Sequence, residues 1–242
     1  MSILSTNPEK TNLLENLGLD YLVIHPFDRE FSELSPSEFV QNVLVNSFNV
    51  SKIIIGHDHR FGKNRAADID DLIAFGAKYG FEVEQISAEE IDDVAVSSTK
   101  IRHALKDGNV ALANSFLGYP YGFTGTVVQG RQLGRTLGFA TANLSIDNPL
   151  KVVPKSGVYA VTSQLQNRTI FGVMNIGIRP TVNGTHQTIE VHFLDFNADL
   201  YDQNIEIQLI ERLRDEQKFD SLDALKNQIT ADCVAARLIF GQ

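Results

Sequence analysis

In the first half of the chain, short apolar runs alternate with helical periodicities. Tyr21-Leu-Val-Ile24 is a continuous apolar run of the kind that predicts a buried strand. Ser35-Pro36-Ser37-Glu38 follows, with serine at an N-cap, proline at the first helical position and glutamate at the third. It opens a predicted helix through Phe39, Val43 and Leu44. Lys52–Gly56 predicts a second strand, Asp68–Lys78 a second helix and Phe81–Ile86 a third strand. Strand and helix in alternation imply an α/β unit with a parallel, doubly wound sheet.

The pattern changes around Leu117-Gly-Tyr-Pro-Tyr-Gly-Phe123, which divides the chain into segments 1–118 and 119–242. Beyond it, strands are predicted at Phe123–Val128, Val158–Leu165, Thr169–Asn175, Thr188–Phe196 and Ile205–Ile210, separated by Gly, Pro and Asn. Strands in succession without helices argue for an antiparallel barrel or sandwich. Asp220-Ser-Leu-Asp223 then starts a terminal helix carrying Leu222, Leu225, Ile229, Val234 and Leu238, which is expected to pack on the barrel.

Composition narrows the function classes. With 242 residues, 43% hydrophobic and 21% charged, the chain is ordinary globular protein. It shows no apolar run long enough to span a membrane, and its first residues lack a signal-peptide pattern, so a cytoplasmic protein is expected. The net charge of −9 is carried mainly by residues 1–118, which hold 10 Lys+Arg against 18 Asp+Glu, while residues 119–242 hold 11 against 12. Neither half offers the basic stripe that nucleic acid requires, so any phosphate must be held locally. Cys233 is the single cysteine, reads as a small buried hydrophobe, and excludes an internal disulfide.

Candidate chemistry concentrates in the second half. The segment Gly130-Arg-Gln-Leu-Gly134-Arg135-Thr-Leu-Gly138-Phe-Ala-Thr141-Ala-Asn143 combines glycines, two arginines and a Thr/Asn pair two positions apart. Glycines let backbone N–H groups approach phosphate oxygens, and an extended Thr141-Ala-Asn143 puts a hydroxyl and an amide oxygen on one side, where they suit Mg²⁺. A plain hairpin turn would use the same residues, and no Walker motif is present. In Thr188–Phe196, alternation puts Glu190 and His192 on one face and Ile189, Val191 and Phe193 on the other. A carboxylate there suits proton acceptance from an alcohol, and equally suits a solvated strand face.

Taken together and in order, Gly134–Leu144, Gly157–Val161, Gly172–Thr181, Glu190–Phe196 and Leu213–Phe219 resemble the riboflavin kinase domain of the bacterial bifunctional FAD synthetases. The resemblance implies a six-stranded antiparallel β-barrel with a C-terminal helix, which transfers the γ-phosphate of ATP to riboflavin and gives FMN. It implies Glu190 as catalytic base, Thr141 and Asn143 as the Mg²⁺ and ATP ligands, and Gly130, Arg135 and Tyr201 as nucleotide contacts. Arg214, Gln217 and Phe219 match the family's flavin-binding loop. One departure is Ala140, where the family usually has proline; the expected cost is roughly 0.4–1 kcal/mol of loop order. A flavin-binding module without catalysis is the alternative reading, opposed by the retained Thr141, Asn143 and Glu190.

The first half resembles the adenylyltransferase domain of the same enzymes, which makes FAD from FMN and ATP on a nucleotidyltransferase-like, Rossmann-type fold. Asp58, after the strand ending at Gly56, matches the active-site loop, and Ser98, Thr99 and Arg102 match a phosphate-binding motif at a helix start. The His57/His59 pair lacks a clustered carboxylate and makes a poor metal site. The family's His-x-Gly-His motif does not occur, so a truncated adenylyltransferase domain with little or no FAD synthesis is expected, with complete bifunctional activity as the rival reading.

Overall fold

The computed structural model describes residues 2–56, 58–87, 90–91, 94–130, 133–181 and 184–242. These residues form two compact units, one of residues 20–96 and one of residues 1–19 with 97–242. His57 and Arg131, both singled out from the sequence, lie outside the described residues.

In the unit of residues 20–96, two short helical turns, α2 (Arg29–Ser32) and α3 (Pro36–Glu38), lead into a π-helical segment, Phe39–Ser47. The predicted capping box is present: Ser35 Oγ accepts from Glu38 N, and Glu38 returns a carboxylate oxygen to Ser35 N at 2.8 Å. Strand β1 (Lys52–Gly56) pairs in parallel with β2 (Glu82–Ile86). Between them runs α4 (Ile69–Tyr79), capped by Asp68. The arrangement follows because a parallel pair needs a crossover long enough for a helix. Val40, Ile55, Phe61, Leu72 and Phe81 form this unit's core. A short antiparallel ladder joins β3 (Glu90–Ile91) to β4 (Val94–Ala95).

Tyr21–Ile24 is not a strand. Tyr21 is 89% exposed and Val23 61%, and neither joins a sheet among the described residues. An apolar run becomes a buried strand only where a sheet edge receives it, and composition cannot report that edge.

The second unit is built on a closed barrel. Its strands are β5 (Gly122–Val128), β6 (Ala142–Ser145), β7 (Gly157–Leu165), β8 (Arg168–Thr181), β9 (Gly184–Phe193) and β10 (Asn204–Arg214). They close in the order β10-β5-β6-β9-β8-β7, antiparallel throughout. Closure leaves no free edge, and one side of each strand fills the interior. Tyr159, Val161, Met174, Ile176 and Val191 are fully buried there. In β7, Val158 and Ala160 on the opposite face are buried too. The cover is α8 (Leu222–Ile239), whose Cys233, Ala236 and Ile239 pack with Phe240 on Val158, Ala160 and Val173. Burial and the neighbouring Asp232 carboxylate push the Cys233 thiol up, which keeps it protonated and unreactive.

The terminal helix packs on the barrel as expected but uses only part of the predicted stripe, since Leu225 and Ile229 face the cleft over the barrel wall. Leu222, Val234 and Leu238 are all more than half exposed, whereas Asp232 and Ala236 are its buried residues. The apolar stripe is broader than one face, so periodicity alone could not choose which third of it meets the barrel.

Residues 2–19 and the helices α5 (Ser98–Asp107) and α6 (Val110–Leu117) complete this unit. Ile3 adds a parallel bridge at Lys151, and α1 (Asn7–Asn16) presents Glu9 to the barrel. There Glu9 Oε2 accepts from the buried Lys151 Nζ at 2.7 Å, and Oε1 accepts from Thr124 N at 3.1 Å. Asn114 of α6 donates to Leu209 O at 2.9 Å, and Lys155 N donates to Leu105 O of α5 at 3.0 Å. In the fold, therefore, the α5–α6 pair packs with the barrel.

Candidate active site

Glu190 sits in the middle strand of a three-strand row. The register of β9 sets it opposite Asn143 of β6 on one side and Asn175 of β8 on the other. Directly opposed residues on neighbouring antiparallel strands point to the same face. Here that is the outer face of the barrel, since Ile189 and Val191 are buried inside it. The row continues through Val158 of β7 to Arg214 of β10, so barrel closure brings together residues far apart in the chain.

A cleft of about 250 Å³ opens over this row, between the barrel wall, α8 and the chain after β10. Thr141, Asn175 and Glu190 form its floor, with Arg214, Gln217 and Phe219 opposite. Leu225, Ile229 and Asp232 close it from α8. The spacing i, i+4, i+7 makes these three one face of the helix. Arg214 is held in a fork by Asp232, with Nε donating to Oδ1 at 2.8 Å and Nη2 to Oδ2 at 2.7 Å. Gln228 donates to the same carboxylate at 2.9 Å. Arg214 also donates from Nη1 to Asp215 O at 2.9 Å and lies 5.9 Å from the Phe219 ring centre. Arg212 reaches the same loop, donating to Asp215 Oδ1 at 2.8 Å, and that contact holds the Asp215 carboxyl below its ordinary range. Two guanidinium groups thus hold the start of the 214–219 segment at Asp215.

A second cleft, of about 490 Å³, lies on the other side of Thr141. It is lined by Arg135, Ala140, Thr141, Phe196, Asp199 and Tyr201 among others. Thr141 belongs to both clefts, so a group held at its hydroxyl stands at their junction. The glycine-rich segment reaches this junction through a short helical turn, α7 (Leu133–Thr136). Gly130 lies against the Asn143 side chain: a Cβ there would fall 2.2 Å from Asn143 Nδ2. Gly134 packs equally tightly on the Phe139 carbonyl, where a Cβ would come within 2.3 Å. Gly134 therefore requires glycine for close approach to backbone, while a side chain at Gly130 would have to displace the Asn143 amide.

Sequence reading had named Thr141, Asn143, Glu190, Arg214, Gln217 and Phe219, and the fold gathers them on one face. Arg135 and Tyr201 line the second cleft, and Gly130 lies against Asn143. It had not singled out Asn175 or Asp232. For Asp232 a signal existed, since an acidic residue continues the apolar stripe of Leu225 and Ile229. For Asn175 none did, because strand register is invisible in one sequence.

Comparison with known proteins bears directly on this barrel. Residues 117–240 match the riboflavin kinase family model, and residues 1–100 match the FAD synthetase model. The bifunctional riboflavin kinase/FMN adenylyltransferase of Escherichia coli K12 is 43% identical over 96% of this chain and 74% of its own length. That of Haemophilus influenzae is 40% identical over 96% of this chain and 75% of its own. The chain belongs to the bifunctional riboflavin kinase/FMN adenylyltransferase family. Among solved structures, a macrolide-efflux protein from Streptococcus pneumoniae superposes with a TM-score of 0.88 at 32% identity, covering 97% of this chain and 75% of that one. No described helix of this family member is long and apolar enough to cross a membrane.

The residues that resemble the family's adenylyltransferase site fall in separate units. Asp58 is exposed in the 20–96 unit, after β1. Ser98, Thr99 and Arg102 lie on α5 in the other unit. The N-cap of α5 is Ser97, which accepts from Lys100 N, so Ser98 and Thr99 occupy the first two helical positions with exposed side chains. Arg102 donates from Nε to Ser2 O at 2.8 Å.

Proposed function

We propose that residues of the barrel unit phosphorylate riboflavin, with ATP in the cleft beside Tyr201 and the flavin between Glu190 and α8. The observation that carries this reading is Thr141, which lines both clefts and stands two residues before Asn143, the strand partner of Glu190. The first cleft has an apolar wall from Leu225, Ile229 and Phe219, which suits a ring system, with polar groups on its floor and from Arg214, Gln217 and Asp232 around it.

In this mechanism Glu190 accepts the proton of the riboflavin 5′-hydroxyl as its oxygen attacks the γ-phosphorus of ATP. The bond from that phosphorus to the β-bridging oxygen breaks, and ADP leaves with the electron pair. Thr141 and Asn143 offer neutral oxygen donors, which fit a hard cation that takes its remaining ligands from phosphate and water. Among the described residues no group of three His, Cys, Asp or Glu stands together. Mg²⁺ bound there would neutralise charge on the transferring phosphoryl group. Arg135 adds a cationic side chain to the nucleotide cleft. Arg214, braced by Asp232, orients the loop over the flavin, while Gln217 and Phe219 line it.

The test is incubation of the purified chain with riboflavin, ATP and Mg²⁺. FMN and ADP are expected in equal amounts, with formation abolished by EDTA and restored by excess Mg²⁺. A folded chain that makes no FMN under these conditions would overturn the reading.

Gly130→Ala follows from the same geometry. The added methyl must displace the Asn143 amide, and the loss of one well-placed ligand is expected to raise the Mg²⁺ concentration for half-maximal rate by about tenfold, near the worth of one hydrogen bond. A titration of rate against Mg²⁺ measures it. An unchanged midpoint would mean that Asn143 does not serve the cation.

A further inference from the structure

His192 belongs to neither set of residues assigned above, yet it connects them. It lies two positions from Glu190 on the same outer face of β9 and lines the flavin cleft. Its Nδ1 is 2.8 Å from the Ala140 carbonyl oxygen. A carbonyl only accepts, so Nδ1 carries the proton and the tautomer is set. The ring also stands edge-on to Phe139, with centroids 5.3 Å apart at 83°. Two consecutive residues of the 134–141 segment are therefore seated on one imidazole.

The position of that seat matters. The backbone bonds from Leu137 N and Phe139 N to Gly134 O, and from Gly138 N to Arg135 O, run within the segment. They shape it without fixing it to the barrel. The His192 contact runs from the segment to β9, and it acts on Ala140, which lines the nucleotide cleft and immediately precedes Thr141.

We infer that His192 is a positioning residue that docks the 134–141 segment on β9 and so places Thr141 between the two clefts. It acts through Ala140 and takes no proton in the reaction. The use of that docking in nucleotide binding rests on the kinase reading above; the docking itself does not.

The experiment uses the full chain and three substitutions. His192→Phe keeps the ring beside Phe139 and removes the donor. His192→Gln carries its amide at the place of Nε2 and also lacks the δ donor. His192→Asn keeps a donor at the place of Nδ1. Hydrogen exchange of the 134–141 amides in ligand-free protein is expected to quicken about three- to tenfold in the Phe and Gln variants, the worth of one hydrogen bond, and to stay near wild type in the Asn variant. In the kinase assay the KM for ATP should rise by a similar factor in Phe and Gln, with kcat within twofold and Asn again close to wild type. Exchange unchanged in both Phe and Gln, or an Asn variant as altered as they are, would overturn the docking. A fall in kcat with KM unchanged would overturn the positioning role. If the wild-type chain forms no FMN, the kinase reading falls by itself, and the exchange comparison still decides the docking.

Discussion

Glu190→Gln is expected to lower the rate of FMN formation by about 10²- to 10⁴-fold, the usual contribution of a general base. The substitution keeps the size of the side chain and its position between Asn143 and Asn175, and removes the capacity to accept a proton. Riboflavin affinity should stay within a few-fold, because the cleft is bounded chiefly by Phe219, Leu225 and Ile229, which are unchanged. Flavin fluorescence titration and single-turnover FMN formation on the same preparation separate the two quantities. A Gln variant with more than a tenth of the wild-type rate would show that the proton leaves by another route.

The second large effect concerns stability. Lys151→Met should destabilise the chain by about 3–5 kcal/mol, the cost of breaking one side of a buried ion pair. The pair is well withdrawn from water, with side-chain exposures of 2% for Lys151 and 14% for Glu9. Lys151 Nζ also donates to Leu4 O at 2.6 Å and lies over the Tyr121 ring. Against a typical total of 5–15 kcal/mol, that loss is large. Urea unfolding measures it. The double variant Glu9→Gln/Lys151→Met should regain much of the loss, since replacing both charges leaves no orphan.

The same pair sets an acid limit. Burial by itself would raise the Glu9 carboxyl, but hydrogen bonds from Lys151, Thr6 and Thr124 outweigh it and hold the group below its ordinary value. A carboxylate with a depressed folded value contributes stability that is present above the unfolded value and lost as pH falls through the folded one. Acid unfolding of Glu9→Gln should accordingly be less steep across that window than that of the wild type. Equal steepness would place the acid sensitivity elsewhere.

The relation between sequence and site differs from element to element. Glu190 and His192 share a face because side chains alternate along any strand, so their pairing was legible in Thr188–Phe196. Their neighbours were not. Asn175 meets Glu190 through the register of β8 on β9, and Arg214 enters the row only because the barrel closes. Asp232 shows the same limit in a helix. Periodicity placed it on the stripe of Leu225 and Ile229, but its role as the partner of Arg214 depends on where β10 delivers that guanidinium.

What the sequence determined by itself was local and repetitive: five of the six barrel strands, the capping box at Ser35, the helix starting near Asp68, the parallel pairing implied by β1, α4 and β2, and the order of motifs that marks the family. These rest on periods of two and 3.6 residues and on turn chemistry, which neighbours in the chain dictate. What only the tertiary structure decided was which apolar surface found a partner. It left Tyr21–Ile24, Val234 and Leu238 in water and buried Asp232. It also seated Ala140 on His192 and joined two clefts at Thr141. Burial and closure depend on contacts between residues distant in the chain, and a single sequence specifies those contacts without displaying them.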